Sequence, residues 1–143
     1  MRALSTLVLL SACSVHVGTV PITAGWALQT VRAPVVEPGV EDALRAAVNE
    51  ALSARGAQGE RPLVVTVLRA DWNPSRRSGN ILLYDAVLVA QFASGDVVRE
   101  TNAVRTVVAP ATAAEAAHAR AAAFDLLAHD VAIAGVALLA AAQ

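Results

Sequence analysis

The stretch from Leu63 to Val108 limits most strongly what this chain can become. Leu63-Val64-Val65-Thr66-Val67-Leu68 is rich in β-branched residues and too short for a helix, so Leu63–Trp72 reads as a strand. Ile81–Phe92 reads as the next one, with Leu82, Tyr84, Ala86, Leu88, Ala90 and Phe92 at alternate positions along one apolar face. Ser94-Gly95-Asp96 supplies a tight hairpin into a further strand, Val97–Val108. Between the first two strands, Asn73-Pro74-Ser75-Arg76-Arg77-Ser78-Gly79 has the composition of a turn-rich loop. Three strands joined this closely form an antiparallel meander, and such a sheet must bury at least one face.

Two helical segments are available to cover it. Val40, Leu44, Ala47, Val48, Ala51 and Leu52 recur at helical spacing, with Glu41 and Arg45 placed for an i,i+4 pair on another face and Gly56 as the stop. The second segment opens with Thr112-Ala-Ala-Glu115, the pattern of a capping box, and runs almost to Gln143. Phe124, Leu127, Val131 and Leu138 form its main stripe, and Gly135 on the same side marks either a kink or a close approach. A short apolar run, Leu28–Val36, precedes the first helix; Pro34 makes it an edge or irregular strand, and Pro38-Gly39 ends it. The element order is therefore β-α-β-β-β-α. The expected fold is α+β, a two-layer sandwich with both helices on one face of a mostly antiparallel four-stranded sheet. With 143 residues, 56% of them hydrophobic and 16% charged, the chain has material for one core and excludes a disordered protein.

The N-terminus reads as an address. Arg2 is a minimal positive region, Ala3–Leu10 a short apolar one, and Leu10-Ser11-Ala12-Cys13 resembles the lipobox of bacterial lipoproteins. Small residues admit a peptidase to the backbone, and the thiol is the strong nucleophile needed for thioether attachment of a diacylglycerol. Cys13 is the only cysteine, so no intramolecular disulfide competes for it. This divides the chain into a signal peptide at 1–12, a lipidated tether at 13–27 and a single α+β domain at 28–143. Two or more acyl chains, palmitate among them, anchor stably where one would be marginal. By resemblance to sorted lipoproteins, Ser14 in second place points to the outer membrane, with the domain facing the periplasm or inside a barrel lumen. Trp26 is a candidate docking residue in the tether.

With this order and this leader, the chain resembles the small lipopolysaccharide-assembly lipoproteins of the LptE type. These begin close to Cys-Gly-aromatic-His/Arg-apolar, followed by glycine. Here the sequence is Cys13-Ser14-Val15-His16-Val17-Gly18, which matches at His16 and Val17 and departs at Ser14 and Val15. Further matches are the Val40–Gly56 helix, apolar-x-x-x-Leu-Arg-x-Ala-Val, and the alternating strand Leu82–Phe92 that opens near Tyr84. The resemblance implies an outer-membrane lipoprotein that acts as plug and assembly aid within a β-barrel partner (LptD) and contacts lipopolysaccharide during delivery to the outer leaflet. The alternative is a regulatory or scaffolding envelope lipoprotein that activates or assembles another periplasmic complex.

The residues offer little for catalysis. The chain lacks G-x-S-x-G, a P-loop and H-E-x-x-H, so a non-enzyme without cofactor or metal is expected. His118, Asp125 and His129 share a helix face, but offset seven spans about 10 Å, too far for one ion, and a solvated polar stripe is expected there. All eleven basic residues are arginine, and the net charge is −1, which gives no global pull toward nucleic acid. Arg76 and Arg77 sit in the expected loop, while Arg69, Arg99 and Arg105 occupy odd strand positions and are expected to share the open sheet face. Guanidinium groups bind phosphate bidentately, so the five are candidate contacts for a phosphorylated glycolipid such as lipopolysaccharide. For any single one of them, plain surface solubility is the simpler explanation. Val131–Gln143 carries no charge, and Leu138 and Leu139 on it are candidate partner contacts.

Overall fold

The computed structural model describes residues 24–34, 37–78, 81–109 and 112–143. Its elements are β1 (Trp26–Arg32), α1 (Val40–Ala54), β2 (Arg61–Ser78), β3 (Ile81–Ser94), β4 (Val97–Val108) and α2 (Ala113–Ala140). The four strands lie in sequence order across one sheet. β1 runs parallel to β2, as a strand–helix–strand connection allows, and the two later pairings are antiparallel. α1 packs on β1 and α2; α2 lies over β3 and β4. Among the described residues nothing covers the opposite face. The α+β sandwich expected from periodicity is the fold observed.

Local signals act as expected at several points. Glu115 N–H donates to Thr112 Oγ1 at 3.2 Å, and Thr112 N–H donates to Glu115 Oε2 at 3.1 Å, completing the capping box of α2. Arg45 and Glu41 pair across one turn of α1 at 3.1 Å. Gly95 takes φ 58 at the first central position of the two-residue hairpin, where a side chain would be strained. By length and composition α2 could cross a membrane, but half of its most apolar stretch is buried inside this fold, as in the core helix of a globular domain.

The core lies between helices and sheet. Leu63, Val65 and Val67 of β2, Ala86, Leu88, Ala90 and Phe92 of β3, Leu44, Val48 and Leu52 of α1, and Leu127, Val131 and Val136 of α2 are buried. Gly135 resolves the choice between kink and close packing. α2 is continuous through it, and a Cβ there would overlap the Phe92 ring. The missing side chain lets helix backbone sit directly on an aromatic ring of β3.

Two expectations need correction. The first strand is Trp26–Arg32, two residues earlier at its start than Leu28, so Trp26 and Ala27 belong to the sheet and not to a tether. Val35 and Val36, at the other end of the expected strand, lie outside the described residues. The segment from Asn73 to Ser78 is strand, not loop: β2 continues through Pro74 and pairs with β3 down to Ser78↔Ile81. Pro74 is tolerated because β1 covers β2 only as far as Thr66. Beyond that point β2 has a partner on one side, and its ladder slips by a residue between Pro74 and Arg76.

Candidate functional site

The register fixes which residues look outward. Even positions of β3 (Ala86, Leu88, Ala90, Phe92) face the helices, so Leu83, Asp85, Val87, Val89 and Gln91 face away. β4 pairs Val104 with Val87 and Val108 with Leu83, and therefore presents Val98, Glu100, Asn102, Val104, Thr106 and Val108 on that same open face. Val98, Val104 and Val108 are 45%, 57% and 58% exposed, and Leu68 and Ile81 add to them. The centre of the open face is thus valine and leucine. Part of its polar content is internally paired: Thr106 Oγ1 donates to Asp85 Oδ1 at 2.7 Å, and Arg69 is bonded to Asp71; Arg76, Gln91, Glu100 and Asn102 lie around them.

The five arginines do not form one cluster. In β2 the register slips between Val67 and Arg69, with Leu68 as the extra residue, so the alternation inverts there. Before the slip odd residues face the helices; after it, Arg69 and Asp71 face outward, opposite Val89 and Val87. The second slip leaves Arg76 opposite Leu83, also on the open face, and Arg77 is a strand residue paired with Leu82. Arg99 and Arg105 pair with Phe92 and Ala86, which places both on the helix side, contrary to the expectation of a shared open face. Arg105 is engaged there: its Nη2 donates to Asp130 Oδ2 of α2 at 2.7 Å and its Nε to the same oxygen at 3.2 Å. Arg99 is exposed, and its Nη1 donates to the Val98 carbonyl at 2.9 Å. Position counting failed because a bulge changes parity without leaving a mark in the periodicity.

The candidate partner contacts also separate. Leu138 is 40% exposed, whereas Leu139 is buried, because neighbours on a helix lie about 100° apart. Trp26 is 3% exposed and packs in the core as the first residue of β1, so it is not offered for docking. Cys13, the lipidation candidate, lies outside the described residues. His118, Asp125 and His129 are exposed on α2, and His129 Nδ1 stands 3.8 Å from Glu50 Oε2 of α1. Among the described residues no three His, Cys, Asp or Glu side chains converge.

A groove of about 450 Å³ opens at the base of the sheet, between Trp26, Arg61, Val97 and Leu139. Ala24, where the described chain begins, is held beside it, its carbonyl accepting from Gln143 Nε2 at 2.9 Å. Sequence reasoning missed one feature altogether. The Glu37 carboxylate, 4% exposed, is bonded by Arg120 of α2 through both Nε and Nη2. That hydrogen bonding raises the Arg120 pKa further above its ordinary value against an opposing burial effect, so the guanidinium stays charged. The pair ties the entry of α1 to the first half of α2, and no local signal links residues so distant in the chain.

No family model matches the chain, and no curated protein does either. Solved structures do. A minor lipoprotein from Acinetobacter baumannii superposes with a TM-score of 0.56 at 17% identity, covering 85% of this chain and 95% of that one. Rare lipoprotein B from Shewanella oneidensis gives 0.52 at 16% identity, over 80% and 94%. A Xanthomonas campestris protein of the DUF330 family gives 0.51 at 16%, over 84% and 87%. At such identities the likeness is one of fold: this chain has an architecture that lipoproteins use.

Proposed function

We propose that this protein is an outer-membrane lipoprotein anchored through Cys13, which serves as plug and assembly partner of a lipopolysaccharide-transport β-barrel and acts by contact without chemistry of its own. The observation that carries the proposal is the apolar open face. β3 has Leu83, Val87 and Val89 on that face, with Asp85 and Gln91 among them, and Ala86, Leu88 and Ala90 on the other, so the middle of the strand is apolar on both sides. A surface of this kind calls for a partner. The N-terminal Leu10-Ser11-Ala12-Cys13 and the architecture shared with lipoproteins support an envelope setting for that partner. From Cys13 to Ala24 the chain can reach at most about 40 Å, so the domain would work within that distance of the bilayer.

In this reading the open face lies against the barrel wall, and Arg76 with Arg69 at its rim meets lipid phosphate. Arg69 is already matched by Asp71, which leaves Arg76 as the stronger of the two for an anion. The test has two stages. Mass spectrometry of the mature protein should find a diacylated Cys13 at the N-terminus, and extraction in mild detergent should retain an outer-membrane β-barrel. An uncleaved Met1 on the exported protein, or extraction with a different periplasmic complex and no barrel, would overturn the proposal.

A further inference from the structure

We propose that the free edge of β4 is a self-pairing site, at which a second copy of this chain adds its own β4 antiparallel and extends the sheet across a two-fold axis near Ala103. The inference does not rest on the barrel reading, since a closed barrel has no unpaired strand to offer this edge.

The two edges of the sheet differ in kind. On the far side the edge is β1, seven residues long with a register shift between Leu28 and Thr30, and past its end β2, which is broken by two register slips and contains Pro74. β4 runs Val97–Val108 against β3 with an unbroken register and no proline. Such an edge is a template for another strand unless charge, proline or a bulge blunts it. Its backbone polarity follows from the ladder. Ala109 N–H donates to the Leu82 carbonyl at 2.7 Å, so odd residues are bonded to β3 and even ones direct N–H and C=O outward. Those even residues are Val98, Glu100, Asn102, Val104, Thr106 and Val108. One outward group is in use, the Val98 carbonyl, through the exposed Arg99 side chain.

Backbone polarity and charge together select the register. For self-pairing, outward even residues must oppose even residues. Of the two registers with greatest overlap, the one centred on Asn102 sets Arg99 opposite Arg105 of the other copy, a like-charge pair. The register centred on Ala103 opposes no like charges; it sets Val98 against Val108 and Glu100 against Thr106, with about a dozen backbone hydrogen bonds.

The helix layer fits as well. α2 lies over both β3 and β4, so adding a strand spacing places the two α2 helices about 10 Å apart, a normal packing distance. The side of α2 above this edge carries Leu126 and Ile133, 49% and 42% exposed, on either side of Asp130. Leu126 lines a shallow groove with Arg105, Thr106 and Val107, and Ile133 lies two helical turns further along α2, toward the start of β4. Eleven strand residues and one helix stripe per copy would bury roughly 1,000 Å² in total, the lower limit for a specific interface, so a micromolar dimer is expected.

The test uses the full chain in a Cys13→Ser background. Facing residues at position 103 form a non-hydrogen-bonded pair, where strand Cα atoms approach to about 4.5 Å. Ala103→Cys should therefore form an intermolecular disulfide under mild oxidant at least tenfold faster than Ala27→Cys on the β1 edge. Without oxidant, light scattering should show a monomer–dimer equilibrium, and Val104→Pro, which removes one outward N–H, should lower the dimer fraction about tenfold. If Val104→Pro does not fold, Thr106→Arg opposite Glu100 should tighten the dimer severalfold, and adding Glu100→Arg should reverse the gain. A chain that stays monomeric up to hundreds of micromolar, or cross-links equally at positions 27 and 103, or ignores these variants, overturns the proposal.

Discussion

The two faces of β3 are built from similar residues and treated in opposite ways. Toward the helices, Ala86, Leu88, Ala90 and Phe92 are sealed under α2, and the fit is close enough that Gly135 must lack a side chain where it meets Phe92. Away from them, Leu83, Val87 and Val89 stand in an open sheet with Val104 and Val108 beside them. The lesson is that apolar composition does not distinguish folding from binding. Packing density does. The inner face has interlocking shapes, while the outer face has apolar area without complementary partners among the described residues.

Substitutions sharpen this contrast when they are matched across the two faces. Phe92→Ala should have the largest effect, about 3–5 kcal/mol of lost stability in urea unfolding, because it opens a cavity below α2. Removing Arg120 as Arg120→Ala strands the Glu37 carboxylate at 4% exposure and should cost about 2 kcal/mol, discounted because the arginine itself is 42% exposed. Gly135→Ala should cost about 1–2 kcal/mol as the Phe92 ring is displaced, and Phe92→Leu in the same chain should recover part of it. On the open face, Val104→Thr should change stability by about 0.5 kcal/mol or less while reducing the partner retained in a mild detergent extract. A large stability loss at Val104 would break the comparison, since it would mean that the outer face contributes to the fold. The smallest effect belongs to Arg76→Gln: no measurable change in unfolding, with weaker binding to vesicles containing phosphorylated glycolipid than to vesicles lacking it.

Much of the architecture was legible before any coordinates. Ile81–Phe92 announced a strand through its period of two, Val40–Leu52 a helix through its spacing, and Thr112 with Glu115 marked where α2 begins. Each of these signals is carried by residues within a turn or a few strand positions of one another. The candidate site was read less well. Arg69, Arg99 and Arg105 share odd numbering, but the bulge at Leu68 puts the first on one face and leaves the others on the opposite one. Asn73–Ser78 looked like loop because proline and serine usually punctuate, yet pairing with β3 outweighs that preference along an edge. Leu138 and Leu139 were indistinguishable by composition, and only helix phase against the sheet separated them.

The sequence by itself determined the element order, the helix start and the apolar periodicities, because these depend on backbone geometry repeated over a few residues. Tertiary structure decided which arginines share a face, which leucine is buried, that Glu37 meets Arg120, and that among the described residues one face of the sheet is left uncovered. Those outcomes turn on single-residue slips and on contacts between distant segments. A one-residue shift inverts every side chain that follows it, and local chemistry carries no record of the partner strand that fixes the shift.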